Sequence, residues 1–446
     1  MSSIYYDLNT QPKDFSELFK LRAKTQTELL NDLGCFVIRN DLPQQDIGKN
    51  NYGVVLMDGL PWIGDQHQTA QSIADKLTNN VDHNKLVFKS IRGLPAIVYV
   101  TEEHVMFSRC GAPEKTLYYY YEPDNKKFTV TSFSKDLFSK YGNYMRVQEN
   151  LLYVFNKYNF KMHVEQFKTW NFEQYRNNWD KVYESHEHAV RMCNHPNSLY
   201  MLSSGMDSGA IVCAARNINI DHHVCHIITD IEEENAVLNA RFRAANDKKH
   251  VHMFRAVENS KNPDRKPYKE FMNSKQSSAG SLNNQPFMDS HNQAYEKICK
   301  PLGSIKVIQG QGGDSLYGDY GFRGKRTRPS SIFGGVFPAN LQEVWKEVMS
   351  SNADVKESLD VLWGIRGIAV SFPLMDLDLI QEFLNTTRNL KNSRYKNWLA
   401  QYMEDSNYPY TNLKGGWGGY NWKELTDIDQ ILKEVGEDII GMNSMG

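Results

Sequence analysis

The chain has 446 residues, enough for two or three domains with sizeable cores. Its 51 Lys and Arg residues nearly balance its 53 Asp and Glu residues, so the charge predicts neither a nucleic-acid nor a membrane-surface partner. The sequence contains no run of about 18 apolar residues, which a transmembrane helix would need, and its first residues lack a signal-peptide pattern. Six scattered cysteines without a CxxC pair favour free thiols in a reducing compartment. We therefore expect a soluble cytoplasmic protein.

The first part of the chain is predicted to be rich in strands. Short runs of β-branched and aromatic residues, separated by turns, predict strands at 34–38, 52–57, 96–100 and 116–121. One helix is predicted at 65–77. This first domain is expected to span residues 1–142.

From about residue 165, helices are predicted to alternate with apolar strands. The predicted helices are 172–191, 208–217, 233–247 and 290–299, and the predicted strands are 198–202, 224–228, 251–254 and 306–309. This alternation indicates an α/β domain with a doubly wound parallel sheet, whose ligands bind at the carboxyl ends of the strands. After about residue 335 the chain is predicted to be mostly helical, so the second domain is expected to span residues 165–446.

Residues 203–208, Ser-Ser-Gly-Met-Asp-Ser, form the most informative motif, a turn between an apolar strand and a helix. Such a turn points backbone N–H groups and a helix N-terminus at one place, where a phosphate is held. Asp207 would repel that anion unless a divalent cation lay between them. The turn therefore predicts nucleotide, magnesium and pyrophosphate together, although it is neither a Walker loop nor GxGxxG.

A second loop, residues 309–318, repeats this pattern of a buried strand, glycines and one acid, Asp314. Loops at the carboxyl ends of parallel strands converge on one site. Two carboxylates and a triphosphate supply the oxygen shell that magnesium prefers. Asp207 and Asp314 are therefore predicted to be metal ligands.

These motifs resemble those of the asparagine synthetase superfamily, which includes β-lactam and carbapenam synthetases and lasso-peptide cyclases. Residues 203–208 resemble its SGGxDS motif, 310–320 its GxGxDExxGGY motif, and 367–376 its GxExRxPFLD segment. Lys414 and the Gly-rich stretch after it resemble a fourth motif. The resemblance covers residues 165–425 in the family's order, and it implies an ATP-pyrophosphatase (PP-loop) domain of the adenine nucleotide α-hydrolase-like type.

The N-terminal part resembles the same family's glutaminase domain, an αββα fold of the N-terminal nucleophile (Ntn) hydrolase type. The matching segments are 51–58 and 93–138, including Arg109. That domain needs an N-terminal cysteine, whereas Met1 is followed here by Ser2 and the nearest cysteine, Cys35, lies within a predicted strand. Because a serine hydroxyl is far less ionised than a thiol, we expect a vestigial domain and a protein that does not use glutamine.

By resemblance, the second domain is a carbon–nitrogen ligase that adenylates a carboxylate with ATP and releases AMP and pyrophosphate as an amine or ammonia forms an amide. The implied cofactors are ATP and Mg²⁺. Catalytic roles are implied for Lys414, Asp207 and Asp314, with magnesium on the two aspartates. The implied ATP-binding residues are Met201, Ser203, Gly205, Asp207, Ser208, Ile228 and Gly310.

Four positions depart from the family's pattern, namely Gln311, Ala369, Ser371 and Ser204, which replaces the first glycine of SGGxDS and crowds the approach of a phosphate. Relatives carry Glu or Tyr at the first position, where it takes a proton from the attacking amine, and Gln cannot act as a base. Either the nucleophile arrives deprotonated, or another side chain acts, or amide formation has been lost. The candidate side chains are Tyr317, Tyr320 and His291.

The expected partners are a small-molecule or peptide carboxylate and an amine, without nucleic acid or membrane, and a homodimer is a candidate assembly. Asparagine formation from aspartate and a nucleotide-binding pseudoenzyme remain as alternative functions. A nucleobase- or tRNA-modifying enzyme is a weaker alternative, because it would require a basic face or a catalytic CxxC motif. The sequence does not identify the carboxylate or the amine.

Overall fold

The computed structural model describes residues 3–8, 25–30, 33–39, 47–110, 115–132, 143–228, 236–237, 240–241, 251–258, 291, 294–319, 321–322, 325–326, 331–350, 353–364, 368–410 and 420–424. Its strands are β1 Ser3–Asp7, β2 Thr25–Leu30, β3 Gly34–Arg39, β4 Ile47–Lys49, β5 Gly53–Asp58, β6 Trp62–Ile63, β7 Gln66–His67, β8 Ala96–Thr101, β9 His104–Ser108, β10 Tyr118–Glu122, β11 Lys127–Thr131, β12 Met145–Arg146, β13 Leu151–Asn156, β14 Lys161–Gln166, β15 Leu199–Leu202, β16 His223–Ile228, β17 Val251–Glu258, β18 Lys306–Ile308, β19 Gly321–Phe322, β20 Lys325–Arg326, β21 Ala369–Ser371 and β22 Tyr420–Glu424.

The helices are α1 Ala70–Ala74, α2 Val81–Ser90, α3 Asp180–Cys193, α4 Met206–Asn217, α5 Gly313–Tyr317, α6 Gln342–Ser350, α7 Ala353–Gly364, α8 Leu377–Leu384, α9 Arg388–Lys391 and α10 Asn397–Asp405. A π-helical turn, Tyr295–Cys299, continues into the short helix Lys300–Leu302, and Pro373–Met375 form a 3₁₀ turn. No helix in the described ranges is long and apolar enough to cross a membrane.

The N-terminal half contains two six-stranded antiparallel sheets, as the strand-rich pattern predicted. Their strand orders are β12-β10-β11-β1-β3-β2 and β14-β13-β9-β8-β5-β4. Strands β3, β5, β8 and β10 confirm the four strands predicted from the sequence, to within two residues. Strands β5 and β8 of the second sheet are buried on both faces, which explains why they are nearly continuous apolar runs.

The alternation of side chains along β5 shows how this second sheet joins two cores. Val54 and Leu56 point into a core shared with the first sheet, including Phe107 and Phe128. Val55, between them, points to the opposite face and belongs to a second, larger core. That larger core also contains apolar residues of α1, α3, α4 and the parallel sheet described next. The two halves of the chain therefore share one core.

The second half is built on a six-stranded sheet in the order β21-β18-β15-β16-β17-β22. Neighbours from β21 through β17 pair in parallel, and β22 joins the edge antiparallel. Strand β15 lies in the middle, with β16 on one side and β18 on the other. The protein is thus a mixed α/β chain, and the direction in which its parallel strands are added reverses at β15.

Two predicted helices are wrong in extent. The helix predicted at 172–191 begins only at Asp180, because the N–H groups of Tyr175 and Arg176 donate to Asn385 O at 2.9 Å instead. Within 65–77, the first residues form the β6–β7 hairpin and only 70–74 are helical, capped by Thr69. The predicted boundary at residue 142, most of the helix 233–247 and the Gly-rich tail lie outside the described residues.

Buried and half-buried ion pairs connect the two halves. Lys115 contacts Asp360 of α7, and both side chains are almost fully buried. Arg92 donates to both carboxylate oxygens of Asp378 at 2.8 and 3.1 Å, and Lys168 donates to the same carboxylate at 2.7 Å. These contacts fix the second antiparallel sheet and its helices against α7 and α8.

The Asp378 contacts predict a loss of stability in acid. Burial raises the pKa of Asp378, but Arg92 and Lys168 outweigh it and lower the pKa to about 2. The unfolded carboxyl has a pKa of about 3.9, so the stabilisation is present above pH ~4 and is lost as the pH falls towards 2. Because the carboxylate is half exposed, we expect about 1 kcal/mol.

Chemical denaturation of wild type and Asp378→Asn between pH 2 and 7 measures this contribution. The difference between their free energies of unfolding should shrink as the pH falls below about 4. Neighbouring Asp376, whose pKa is raised by burial and then by Asp378, must be present in both proteins. A difference that stays constant down to pH 2 would show that the ion pair does not stabilise the fold.

Candidate functional site

The reversal at β15 creates a crevice at the carboxyl end of the parallel sheet. In open α/β sheets ligands bind where neighbouring connections leave in opposite directions. Here the chain leaves β15 through residues 203–205 into α4, and it leaves β18 through residues 309–312 into α5. The two loops that the sequence singled out therefore lie side by side at this point.

The turn after β15 is closed by serine hydroxyls and leaves a helix N-terminus open. Ser208 Oγ accepts the Ser203 N–H at 3.0 Å and lies 3.0 Å from Ser203 Oγ. Gly205 is the N-cap of α4 and has no side chain with which to cap it. The first N–H groups of α4 thus lack a side-chain acceptor among the described residues, and such groups attract an anion.

Glycines let the second loop approach the first at backbone distance. A Cβ on Gly310 would lie 2.8 Å from Ser208 N, and one on Gly313 would lie 2.2 Å from Asp207 Oδ1. Gly312 has φ +97°, a conformation that L side chains rarely adopt. Any larger residue at position 310 or 313 would push the two loops apart.

The two predicted acids are brought together around one lysine that sequence reasoning missed. Lys396 Nζ donates to Asp207 Oδ1 and Oδ2 at 2.6 and 2.7 Å and also contacts Asp314 Oδ1. The Lys396 side chain is 4% exposed, against 11% for Asp207 and 33% for Asp314. The structure thus places a cation between the two carboxylates, where the sequence predicted a metal.

The environment holds Lys396 in its charged form. Burial lowers the pKa of its ammonium group, but the adjacent Asp207 and Asp314 outweigh burial and raise it. Lys396 also has φ +49°, a left-handed conformation that is uncommon for a non-glycine residue. Such strain often marks a functional position, because the surroundings must enforce it.

The protein itself supplies only part of the set of ligands that a magnesium ion needs. Among the described residues there is no group of three or more His, Cys, Asp or Glu side chains that could hold a metal. Mg²⁺ is nevertheless commonly bound by one or two carboxylates together with substrate phosphates. Asp207 and Asp314 satisfy that requirement, provided that a phosphate ligand supplies the remaining oxygens and Lys396 moves aside.

The structure describes some of the remaining predicted site residues but not all of them. Met201 is 6% exposed and packs in the larger core. Ile228 is the last residue of β16, so its backbone lies at the carboxyl end of the sheet. Lys414 lies outside the described residues. The structure therefore brings together the two loops, including Ser203, Gly205, Ser208 and Gly310, but gives no position for the predicted catalytic lysine.

Two of the three candidate replacements for the missing base are buried, and the third is not described. Tyr317 is buried and donates its hydroxyl to Leu374 O at 2.7 Å, and burial raises its pKa well above the ordinary value. His291 is 1% exposed, and its Nε2 lies 3.1 Å from Gln309 Nε2. Tyr320 lies outside the described residues. Gln311 and Ala369 are both half-buried, and neither is a base.

A tyrosine at the mouth of the site was not predicted. Tyr395 is 45% exposed, and its hydroxyl lies 3.4 Å from Asp314 Oδ1. Burial raises the pKa of Tyr395 to about 12, and Lys396 offsets only part of that increase. Near neutral pH this side chain is therefore a hydrogen-bond donor at the edge of the crevice.

Comparisons with known proteins give little further information. No protein-family model matches the chain, and no curated protein matches it. One similar solved structure is glutamine phosphoribosylpyrophosphate amidotransferase from B. subtilis, complexed with ADP and GMP. The two are 10% identical over 56% of this chain and 80% of that chain, with a TM-score of 0.27.

A second solved structure is described as the allosteric regulatory enzyme of purine biosynthesis. It is 12% identical over 56% of this chain and 74% of that chain, with a TM-score of 0.25. Both TM-scores are too low to support an argument about this protein. The crevice between β15 and β18 is therefore the feature of the molecule that indicates a function.

Proposed function

We propose that the chain is an ATP-dependent amide-bond-forming ligase of the asparagine synthetase type. In this proposal ATP adenylates a carboxylate substrate with release of pyrophosphate, and an amine or ammonia then displaces AMP. The observation that carries the proposal is the meeting of Asp207, Asp314 and Lys396 beside the uncapped N-terminus of α4. Helix N–H groups and an ammonium favour an anion, and paired carboxylates favour a metal, so the combination suits a magnesium–triphosphate.

Each group in the crevice has a role in this proposal. The N–H groups of residues 204–208 would hold the departing pyrophosphate, and Asp207 and Asp314 would hold magnesium. Magnesium, when bound, neutralises phosphate charge as pyrophosphate leaves. Lys396, released from the carboxylates, would place its ammonium beside the same phosphates. Met201, Ile228 and Gly310 are proposed to line the adenosine site, and Lys414 is proposed to act where charge develops during amide formation.

The described cysteines support a ligase that does not use glutamine. The five cysteines whose side chains the structure describes are all buried. Burial raises the pKa of Cys213 to about 11 and raises those of Cys110 and Cys225 further. A nucleophilic cysteine must be an accessible thiolate, whereas all five of these thiols are buried and the raised pKa values of Cys110, Cys213 and Cys225 disfavour a thiolate. Ammonia or a substrate amine is therefore the proposed nitrogen source.

A nucleotide-binding pseudoenzyme is a second candidate function, favoured by a specific observation. Lys396 already contacts both carboxylates, where a magnesium ion would bind, and positions 311 and 369 carry Gln and Ala instead of the residues that relay a proton in the family that the sequence resembles. Such a protein would bind ATP without cleaving it.

Pyrophosphate release and ATP binding together test the proposal. Purified protein with ATP and Mg²⁺ should release pyrophosphate only when the correct carboxylate is present, beginning with aspartate plus ammonium chloride and extending to a panel of carboxylates and amines. Glutamine should not replace the amine. ATP binding in calorimetry without release in any combination would favour the pseudoenzyme, and absence of ATP binding would refute both.

A further inference from the structure

A buried arginine lies beneath the turn that follows β15. Arg241 is 1% exposed, and it donates from Nη2 to Gly205 O at 3.1 Å and from Nε to Pro409 O at 2.6 Å. Its Nη1 also contacts Ser203 O. The guanidinium therefore holds two carbonyls of the turn and ties them to the segment that follows α10.

All three of these acceptors are neutral. Arg241 forms no ion pair with a carboxylate among the described residues, and its Cζ lies 5.2 Å from the centre of the Tyr408 ring. Burial lowers the pKa of Arg241, and the groups that oppose this shift are Tyr408 and Cys213. A buried charge without a counter-ion is costly, so its retention beneath a candidate anion site requires an explanation.

Its charge gives Arg241 a first effect at this site. Arg241 places a positive charge beside the turn that leads to Asp207, on the side where Ser203 O and Gly205 O accept its hydrogen bonds. A positive charge there favours the binding of an anion by the turn.

The geometry of the peptide bond gives Arg241 a second effect. In a trans peptide the C=O and the following N–H point in opposite directions. Because the carbonyls of Ser203 and Gly205 are turned towards Arg241, the N–H groups of Ser204 and Met206 point away from it. The arginine thus fixes the direction of the donors that would meet an anion.

The absence of a side chain at Gly209 provides the space that this guanidinium occupies. A Cβ on Gly209 would lie 2.2 Å from Arg241 Nη2 and 2.7 Å from its Cζ. Gly209 follows Ser208 in the first turns of α4, so the start of that helix is built around the arginine. An alanine there would displace the guanidinium without removing its charge.

We propose that Arg241 is a positioning residue for pyrophosphate binding, which aligns the N–H donors of Ser204 and Met206 and adds a positive charge beneath the turn. This inference rests on the proposed function, because it takes the anion to be the pyrophosphate moiety of ATP. It adds a residue that lies outside every motif considered in the sequence.

Calorimetric titration of the full chain with pyrophosphate, and separately with Mg·ATP, tests the proposal in Arg241→Met. Hydrogen bonds to a charged group contribute about 1.5–3 kcal/mol, so we expect binding to weaken by roughly 10- to 100-fold. Arg241→Lys keeps the positive charge but loses the planar guanidinium with its several N–H donors, so its affinity should lie between those of wild type and Arg241→Met. Arg216→Met is the matched control, since Arg216 also stacks on Tyr408, at 5.8 Å, but does not contact the turn.

The outcomes separate this inference from the proposed function. Folded Arg241→Met with wild-type affinity would overturn the role of Arg241 alone, whereas a wild type that binds neither pyrophosphate nor ATP would overturn both proposals. If Arg241→Met fails to fold, Gly209→Ala and Arg241→Lys decide the matter. Both should weaken binding relative to Arg216→Met, and unchanged affinity in both would refute the positioning role.

Discussion

Replacing either Asp207 or Asp314 by Asn should reduce ATP-dependent pyrophosphate release by at least about 10²-fold, the size of effect produced by removing one preorganised electrostatic group. Asn keeps the shape of the side chain but removes the charge that would hold magnesium. The described residues include no group of three or more possible metal ligands, so no third described side chain is placed to take over from either carboxylate. The measurement is the initial rate of pyrophosphate release at saturating ATP.

Asp378→Asn is the matched control for this pair of variants. Asp378 also contacts two cations, Arg92 and Lys168, but lies on α8 outside the crevice. Its loss should lower stability by only about 1 kcal/mol, because the Asp378 carboxylate is half exposed. It should leave pyrophosphate release within about twofold, because Asp378 lies outside the crevice. Wild-type release by Asp207→Asn or Asp314→Asn would remove the metal assignment from the proposal.

Replacing Lys396 by Met should destabilise the protein and make its stability depend on magnesium. Removing one partner of a buried ion pair costs about 3–5 kcal/mol, and we expect the lower end because Asp314 is 33% exposed. The variant removes the cation that Asp207 and Asp314 both contact, and a divalent cation can take its place between two carboxylates. Thermal melts of Lys396→Met with and without millimolar Mg²⁺ should show a larger increase in Tm than the same melts of wild type.

Lys391→Met distinguishes this effect from the general loss of a buried lysine. Lys391 is 2% exposed and donates to Leu384 O and Thr386 O at 2.9 and 2.6 Å, with no carboxylate among its described partners. That variant should also be less stable, but Mg²⁺ should not raise its Tm more than that of wild type. An equal magnesium response in both variants would show that Lys396 does not occupy a metal position.

The strands and the two loops of the site could be predicted because their signals are local. An apolar run followed by small residues and one acid places Asp207 and Asp314 at strand ends without knowledge of any other part of the chain. Parallel pairing of β15 with β18 then brings them together. The start of the helix predicted from residue 172 is wrong for the opposite reason, because it depends on a distant contact. The N–H groups of Tyr175 and Arg176 donate to Asn385 O, more than two hundred residues away.

Lys396 and Arg241 could not be predicted from local sequence. Lys396 is one of two buried lysines within six positions, and only its tertiary contacts distinguish it from Lys391. Arg241 lies on a segment with no turn or glycine motif of its own. Glycine at position 209 was the one local signal, because a helix interior normally avoids that residue.

The shared core has a consequence for how the two halves of this chain can change. Val55, Ile97 and Tyr99 from the N-terminal sheets belong to the same buried cluster as Leu199 and Ile308 from the parallel sheet. A fragment that began after the first half would expose this apolar surface to water and aggregate. The N-terminal half therefore has a structural role that needs no catalytic group of its own, because the parallel sheet of the second half packs against it.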